Sequence, residues 1–275
     1  MHTSLTVFVL GLVTSLAAGA EAQTPALPEI VDLRPQFAAW GLAARQQGDR
    51  PTCSAFTVTG AIEFALAKQL EQSTRLSVEF LNWAANQAGG GAADGAFFSD
   101  LWKGFVAHGL CAEAEMPYRA EFVAAAQPSP TALTDARKRL AQELRLQWIK
   151  EWNVQTGLME EQLTAIRRTL ARGWPVCAGC RWPRQATLGD GVLQMCPPEA
   201  VYDGHSVLVV GYRPDPSQPS GGVLLFRNTA GDGRDGAMPY EYARSYMNDA
   251  AWVDFESTAD TLTQPSPDSA ATTDP

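Results

Sequence analysis

The hydrophobic pattern of this chain changes its period once, and that change limits the folds open to it. From about residue 52 to 145, apolar residues recur at helical spacing, which predicts helices. From about residue 175 the chain breaks into short runs rich in β-branched residues, which predicts strands. A helical first half followed by a strand-rich second half predicts an α+β protein with two lobes.

Glycine and proline set the bounds of several predicted elements. Gly109 ends one helix, and Gly173, with Pro175 just beyond it, ends another. The predicted helices cover residues 53–70, which we expect to be amphipathic, 78–87, 98–108 and 133–145, with one more after Met159. The predicted strands cover residues 176–180, 205–212, 223–228 and 251–255.

The start of the chain reads as a targeting signal. Leu5 to Leu16 is an apolar run that leads into Ala20-Glu21-Ala22, the pattern of a secretory signal peptide over residues 1–22. A membrane anchor is the alternative, but the run is shorter than the ~20 residues that a spanning helix needs. We therefore expect a secreted or periplasmic protein.

The composition and net charge limit the kinds of partner that this protein can bind. Residues 256–275 are rich in Ser, Thr, Asp and Pro, which predicts a disordered tail. The net charge of −9 argues against nucleic acid as a partner, because binding it usually needs a basic face. We expect a monomer without a membrane span in the mature chain.

Five cysteines need an explanation in an exported protein. Exported cysteines usually pair, and an odd number leaves one thiol free. If Cys53 is that thiol, the other four allow three disulfide pairings. A CxxC motif at Cys177 and Cys180 leaves zinc or a redox role as the alternative, but a second CxxC or a His pair is missing. We expect disulfides and no metal or other cofactor. The remaining two cysteines are Cys111 and Cys196.

Cys53 stands where a loop becomes a helix. Gly48 and Pro51 precede it, and apolar periodicity begins just after it. The helix dipole and the unpaired N–H groups at that end favour an anion, so the thiol pKa should be lowered. A lowered pKa is what a sulfur nucleophile needs, although a buried structural cysteine or half of a disulfide is the alternative.

One histidine suits the role of base to this thiol. His2 falls in the signal peptide and His108 reads as a helix-end residue. His205 opens a clear strand, so by elimination it is the candidate; the alternative is a surface histidine. In the predicted hairpin of strands 205–212 and 223–228, it lies opposite Asn228, whose carbonyl could fix the imidazole tautomer.

Five blocks of the sequence form an ordered set of motifs: Gln47–Phe56, Leu76–Leu81, Met116–Tyr118, Gly204–Tyr212 and Leu225–Asn228. In this order they resemble the motifs of papain-like cysteine peptidases. The resemblance implies that Gln47 and the Cys53 N–H form an oxyanion hole. It implies a papain-like domain over residues 23–255, with a helical lobe (about 31–135) facing a β-barrel-like lobe (about 140–255) across a cleft. It also suggests that Gly95 and Ser206 lie near the specificity pocket.

The chain departs from the family pattern in four places. Ser54 follows the nucleophile where the family has Trp, and a cysteine usual a few residues earlier is missing together with its disulfide. Thr229 and Ala230 replace the Ser-Trp pair whose Trp shields the Asn–His contact. The stretch before Val31 is short, so we expect no inhibitory pro-domain.

The resemblance and the residues together predict a cysteine peptidase. Cys53, His205 and Asn228, with Gln47, would hydrolyse peptide bonds through a thioester acyl-enzyme. One alternative is a transglutaminase-like or peptide-ligating enzyme that uses the same residues. Another is a non-catalytic module that binds peptides on a peptidase scaffold.

Overall fold

The computed structural model describes residues 26–255 except 141–142, 186–187, 190 and 232–234. The predicted signal peptide and the predicted tail lie outside the described residues. Among the helices that are described, none is both long enough and apolar enough to cross a membrane.

Helices fill the first half of the chain and support the second. They are α1 (Arg34–Ala39), α2 (Cys53–Leu70), α3 (Val78–Gly89), α4 (Phe98–His108), α5 (Pro130–Leu140), α6 (Glu160–Ala171) and α7 (Tyr240–Tyr246).

The strands join in one sheet that makes up the second lobe. Its order is β2-β9-β3-β6-β7-β8-β5-β4, and β1 pairs with β6. The neighbours along this path are antiparallel except β5 and β8. The strands are β1 (Val31–Asp32), β2 (Leu144–Lys150), β3 (Val176–Pro183), β4 (Leu188–Gly189), β5 (Val192–Leu193), β6 (Val201–Pro214), β7 (Gly222–Arg227), β8 (Gly236–Pro239) and β9 (Met247–Phe255).

Helix α2 is the central element of the molecule. Residues 53–67 are buried apart from Gly60, so the expected amphipathic helix is wrong: α2 is covered on all sides. A Cβ on Gly60 would lie 3.3 Å from the Leu208 side chain, so the helix packs closely on β6. The Cys177 thiol also donates to the Thr57 carbonyl at 3.7 Å, which joins β3 to the same helix. The N-terminus of α2 is thereby fixed relative to the sheet.

Helices α3 and α4 pack against each other at Gly104. A Cβ there would lie 2.4 Å from the Ala85 backbone nitrogen, so glycine permits the close approach. Ser77 caps the start of helix α3, and its Oγ accepts from the Phe80 N–H at 2.9 Å. These contacts hold the loop between α3 and α4 beside the start of α2.

Two sequence predictions of elements need correction. The charged helix expected over 133–145 is α5, which begins at Pro130 and ends at Leu140, and residues 144–150 form strand β2. Leu144, Arg145 and Leu146 alternate with period two and pair with β9, which overrides the helix propensity of this segment. Residues 31–32, assigned to the helical lobe from the sequence, pair with β6 of the other lobe.

Candidate active site

A pocket of about 330 Å³ lies between the lobes, and we call it the interlobe pocket. Helix α2 and the loop before α4 line one side, and β3, β6, β9 and Trp152 line the other. A larger groove of about 770 Å³, between α6, β2 and β9, contains neither cysteine nor histidine among its described lining residues. The interlobe pocket is lined by Pro51, Cys53, Ser54, Ala96–Phe98, Trp152, Gly179, Cys180, Gly204–Ser206, Asn248 and Asp249.

Cys53 is the first residue of α2, as predicted, and its thiol is free. The Thr52 hydroxyl pairs with the Tyr118 hydroxyl at 2.6 Å instead of capping the helix, so the first N–H groups of α2 have no side-chain cap. Burial raises the pKa of the Cys53 thiol, and hydrogen bonds from Ser206 and Ser54 only partly offset it. The expected lowering of this pKa is therefore wrong, because burial outweighs the helix terminus.

His205 lies in the same pocket, and its side chain meets Asn228. The His205 Nε2 to Asn228 Oδ1 distance is 2.8 Å. The Ala230 N–H donates to the same Oδ1 at 3.2 Å, which identifies that atom as the acceptor. His205 Nε2 therefore carries the proton, and Nδ1 of the neutral ring is left as an acceptor. Burial lowers the pKa of His205, and the bond to Asn228 opposes that shift.

The hairpin register differs from the one predicted. The ladder between β6 and β7 ends with Leu208 opposite Arg227, so Asn228 follows it by one residue while His205 precedes it by three. The two residues are not directly opposite each other. Their side chains meet along a diagonal, which neighbouring strands also allow.

Trp182 shields this hydrogen bond. Its ring centroid lies 4.6 Å from that of His205 and 5.8 Å from that of Phe226, and the indole is buried. The sequence offered no family tryptophan after Asn228, and Trp182 on β3 supplies an aromatic cover from another strand. Sequence analysis missed this residue, because its contact with His205 depends on the pairing of β3 with β6.

Gln47 is held by the segment after Asn228. The Thr229 hydroxyl donates to Gln47 Oε1 at 2.8 Å, and the Gln47 N–H donates to the Thr229 carbonyl at 2.8 Å. Gln47 Nε2 donates one hydrogen to the Arg50 carbonyl at 2.8 Å. The amide group is therefore fixed in one orientation, with a second hydrogen on Nε2.

Arg50 ties the loop before Cys53 to the rest of the helical lobe. Its guanidinium is buried and contacts Glu79 Oε2 at 2.6 Å, Asp94 Oδ1 at 2.8 Å and the Arg119 carbonyl at 2.8 Å. It also lies 4.6 Å from the centroid of the Tyr118 ring. This group, which we call the Arg50 clamp, occupies the segment in which the family's usual cysteine is missing, and sequence analysis did not identify it.

The structure treats the two predicted substrate-binding residues differently. Ser206 lines the interlobe pocket beside Cys53. Gly95 is outside the lining, and its N–H donates to Asn82 Oδ1 at 2.9 Å. A Cβ at Gly95, where φ is +89°, would lie 2.1 Å from the Pro51 carbonyl oxygen, so glycine allows the two loops to touch. A role for Gly95 in substrate binding stays a prediction.

The other four cysteines form none of the expected disulfides, and all of them are free. Cys111 belongs to the helical lobe, where its carbonyl accepts from the Ser77 N–H at 2.9 Å. Cys177 and Cys180 are three residues apart on β3, where side chains alternate between faces, so the CxxC pair is not joined. Among the described residues, we find no cluster of three His, Cys, Asp or Glu suited to a metal.

A buried cysteine at a helix N-terminus, a histidine bound to an asparagine and a cleft between two lobes define a class of thiol hydrolases. The sequence profile described as papain family cysteine protease matches residues 27–230. The chain belongs to this family, and it is a cysteine peptidase. No curated protein matches the chain significantly.

Solved structures share the fold. Xylellain, a cysteine protease from Xylella fastidiosa, is 24% identical with a TM-score of 0.66 over 84% of this chain and 88% of its own. Digestive procathepsin L 3 from Tenebrio molitor larval midgut is 19% identical, with a TM-score of 0.60 over 85% and 72% of the two chains. The ragweed pollen allergen Amb a 11, a cysteine protease in its proform, is 20% identical, with a TM-score of 0.60 over 90% of this chain and 63% of its own. The fold is the papain-like α+β fold expected from the sequence.

Proposed function

We propose that this peptidase cleaves peptide bonds through Cys53 as nucleophile, His205 as base and Asn228 as the group that orients the base. One observation carries the proposal. A free thiol at the mouth of α2 lines the same pocket as His205, whose Nε2–H is held by Asn228 Oδ1 at 2.8 Å. This bond leaves Nδ1 of His205 to accept the thiol proton.

The charges of the resting pair follow from burial. Burial raises the pKa of Cys53 and lowers that of His205, so both shifts favour a neutral thiol beside a neutral imidazole. Proton transfer from Sγ to Nδ1 then accompanies attack on the substrate carbonyl. His205 returns the proton to the leaving amine, and afterwards it activates a water that releases the acid from the thioester.

The oxyanion is assigned to two donors. The Cys53 N–H belongs to the unpaired first turn of α2, and Gln47 Nε2 has a hydrogen beyond the one given to Arg50. Each donor of this kind typically contributes ~3 kcal/mol to the transition state. Thr229 orients Gln47 through its hydroxyl, so the residue after Asn228 supports the oxyanion site.

The test is digestion of a peptide library by wild type and by Cys53→Ala. We expect cleaved products from wild type only, and labelling of Cys53 by an active-site-directed epoxide or vinyl sulfone. Peptide binding without turnover or labelling would refute the proposal in favour of the binding module.

A second arm of the same experiment distinguishes hydrolysis from transfer of the acyl group to an amine. Digestion is repeated with an added primary amine, and the products are analysed by mass spectrometry. Free acids as the main products support hydrolysis, whereas amine adducts or ligated peptides as the main products would assign the chain to the transglutaminase-like or ligating alternative.

We further propose that the protein is exported. The support is the apolar run from Leu5 to Leu16 with Ala20-Glu21-Ala22 after it. N-terminal sequencing of protein recovered from the periplasm or medium should begin at Gln23, and a chain that keeps Met1 inside the cell would contradict export.

A further inference from the structure

The floor of the interlobe pocket carries two acceptors that lack donors. Asn248 Oδ1 and Asp249 Oδ1 are buried, and neither has a hydrogen-bond partner within the described residues. The two residues are 4% exposed each. Buried polar atoms without partners are rare and costly, so two adjacent ones in a substrate cleft call for a ligand that donates.

A β-bulge brings both side chains to this pocket. In the ladder between β3 and β9, Gly179 pairs with Asp249 while Cys180 pairs with Met247, so Asn248 is an extra residue. Neighbouring residues of a regular strand face opposite ways, whereas a bulge re-aims one of them. The strand is therefore built so that Asn248 and Asp249 line the same cavity.

Gly179 makes room for the carboxylate. A Cβ at this position would lie 2.0 Å from Asp249 Oδ1, so any other residue here would force the carboxylate to move. The glycine of the Cys177–Cys180 motif thus leaves the space that the Asp249 carboxylate occupies beside the pocket.

Lys150 does not neutralise Asp249 by direct bonding. Its ammonium donates to the carbonyls of Glu151, Asn153 and Asn248, which accounts for its three hydrogens. Burial raises the pKa of Asp249 to about 6, and the charge of Lys150 and the Gly179 N–H beside the carboxylate only partly oppose this shift. The carboxylate is ionised at neutral pH and has an oxygen to offer.

The rim of the pocket is aromatic. Phe97 and Trp152 are 55% and 50% exposed, and their rings are in edge contact at 5.3 Å. Such faces bind the aliphatic stem of a long side chain and favour a cation above them. An apolar rim above an acidic floor matches a side chain with an apolar stem and a charged end.

We infer that the interlobe pocket selects a substrate with an arginine or lysine side chain near the scissile bond, and that Asp249 and Asn248 are the residues that recognise it. This inference rests on the proposed function. A guanidinium supplies five N–H donors, enough for both acceptors. Asp249 thereby sets specificity without touching the reacting atoms.

The test compares peptides in which arginine or citrulline, its uncharged analogue, stands at each of the three positions before the scissile bond. Wild type should prefer arginine at one position by about 10- to 100-fold in kcat/KM, the range for hydrogen bonds to a charged group. Asp249→Asn should lose that preference, so that its kcat/KM for the arginine peptide falls to its kcat/KM for the citrulline peptide. Asp215→Asn removes the same charge from the loop between β6 and β7, outside the pocket, and should keep the preference.

The pH dependence of the preference for arginine gives a second test. The ratio of kcat/KM for arginine to that for citrulline should rise from pH 5 to pH 7.5 as Asp249 ionises, and it should stay flat in Asp249→Asn. The other titrating or charged groups near Asp249 or in its pocket are Lys150 on β2, Cys177 and Cys180 on β3, His205 on β6 and Cys53 on α2. Their effect on the chemical step cancels in the ratio, because both peptides react through the same groups.

Binding to Cys53→Ala separates this inference from the proposed function. If the arginine peptide binds that variant at least ten-fold more tightly than the citrulline peptide, the pocket is cation-selective whether or not wild type turns it over. Equal binding, or an Asp249→Asn enzyme that still prefers arginine, overturns the inference. Cleavage of both peptides at equal rates would also overturn it while leaving the peptidase assignment intact.

Discussion

Removing the charge of Arg50 should destabilise the protein far more than removing a surface charge. In Arg50→Met, Glu79 and Asp94 lose the cation that they share, and the Arg119 carbonyl loses its donor. Arg50 and Glu79 are 4% and 3% exposed, so water replaces little of what is lost. Breaking a buried pair by removing one partner typically costs 3–5 kcal/mol, and we expect a loss of about 4 kcal/mol here.

The assay is guanidinium unfolding of wild type and variants at neutral pH. Arg34→Met is the matched control, because the Arg34 and Asp32 side chains are 40% and 29% exposed and such pairs contribute about 0–1 kcal/mol. Arg50→Lys should fall between them, since an ammonium lacks the planar fork that contacts both carboxylates. The midpoints give stability where the slopes agree.

Function should change with stability in Arg50→Met. The Arg50 carbonyl holds Gln47, and Pro51 and Thr52 lead directly to Cys53. We therefore expect kcat to fall at least ten-fold at a temperature where the variant is folded. A loss below 1 kcal/mol, equal to that of Arg34→Met, would refute the reasoning about the clamp.

Three further predictions follow from the pKa directions and the packing. Burial raises the pKa of Cys53, so the rate of its alkylation by iodoacetamide should still increase with pH above ~8.5, the ordinary pKa of a cysteine. A rate that does not change between pH 5 and pH 8 would instead indicate an ion pair between Cys53 and His205. Trp182→Ala should admit water to His205 and raise the pKa of His205 toward its ordinary value, so the acid limb of the pH profile of kcat/KM should move to higher pH. Trp182→Phe should leave the acid limb at the pH of wild type. Asp249 has a folded pKa above its unfolded one, so its stabilising contribution is full below pH ~4 and is lost as pH rises through about 6. Asp249→Asn should therefore gain about 2 kcal/mol relative to wild type between pH 4 and pH 7.5 in urea unfolding, and an unchanged difference would contradict the burial of a charged carboxylate.

Local signals in the sequence were enough to place the main elements. The start of α2 at Cys53 was predicted because Pro51 and the apolar period after it mark a boundary, and the end of α4 was predicted from Gly109, whose φ is +75°. The contact between His205 and Asn228 was predicted from a hairpin, but its register was wrong because β6 begins at Val201, so His205 is not the first residue of its strand.

The residues that complete the site had no local signal. Arg50 meets Glu79 and Asp94 across 29 and 44 positions of sequence, and no period in the chain encodes such a pairing. Trp182 covers His205 only because β3 and β6 are neighbours in the sheet. No local pattern predicts the position of Asp249 either, because its burial depends on the bulge in β9 and on Gly179 in β3.

The Arg50 clamp also bears on the redox conditions under which this peptidase works. A sulfur nucleophile is active only while it is reduced, yet a nucleophile loop fixed by a cystine needs oxidation to hold its shape. Here the loop before Cys53 is held by ion pairs, and all five thiols are free. Strong reductants that regenerate Cys53 therefore have no crosslink to break in this fold, so thiol recovery and structural integrity do not compete.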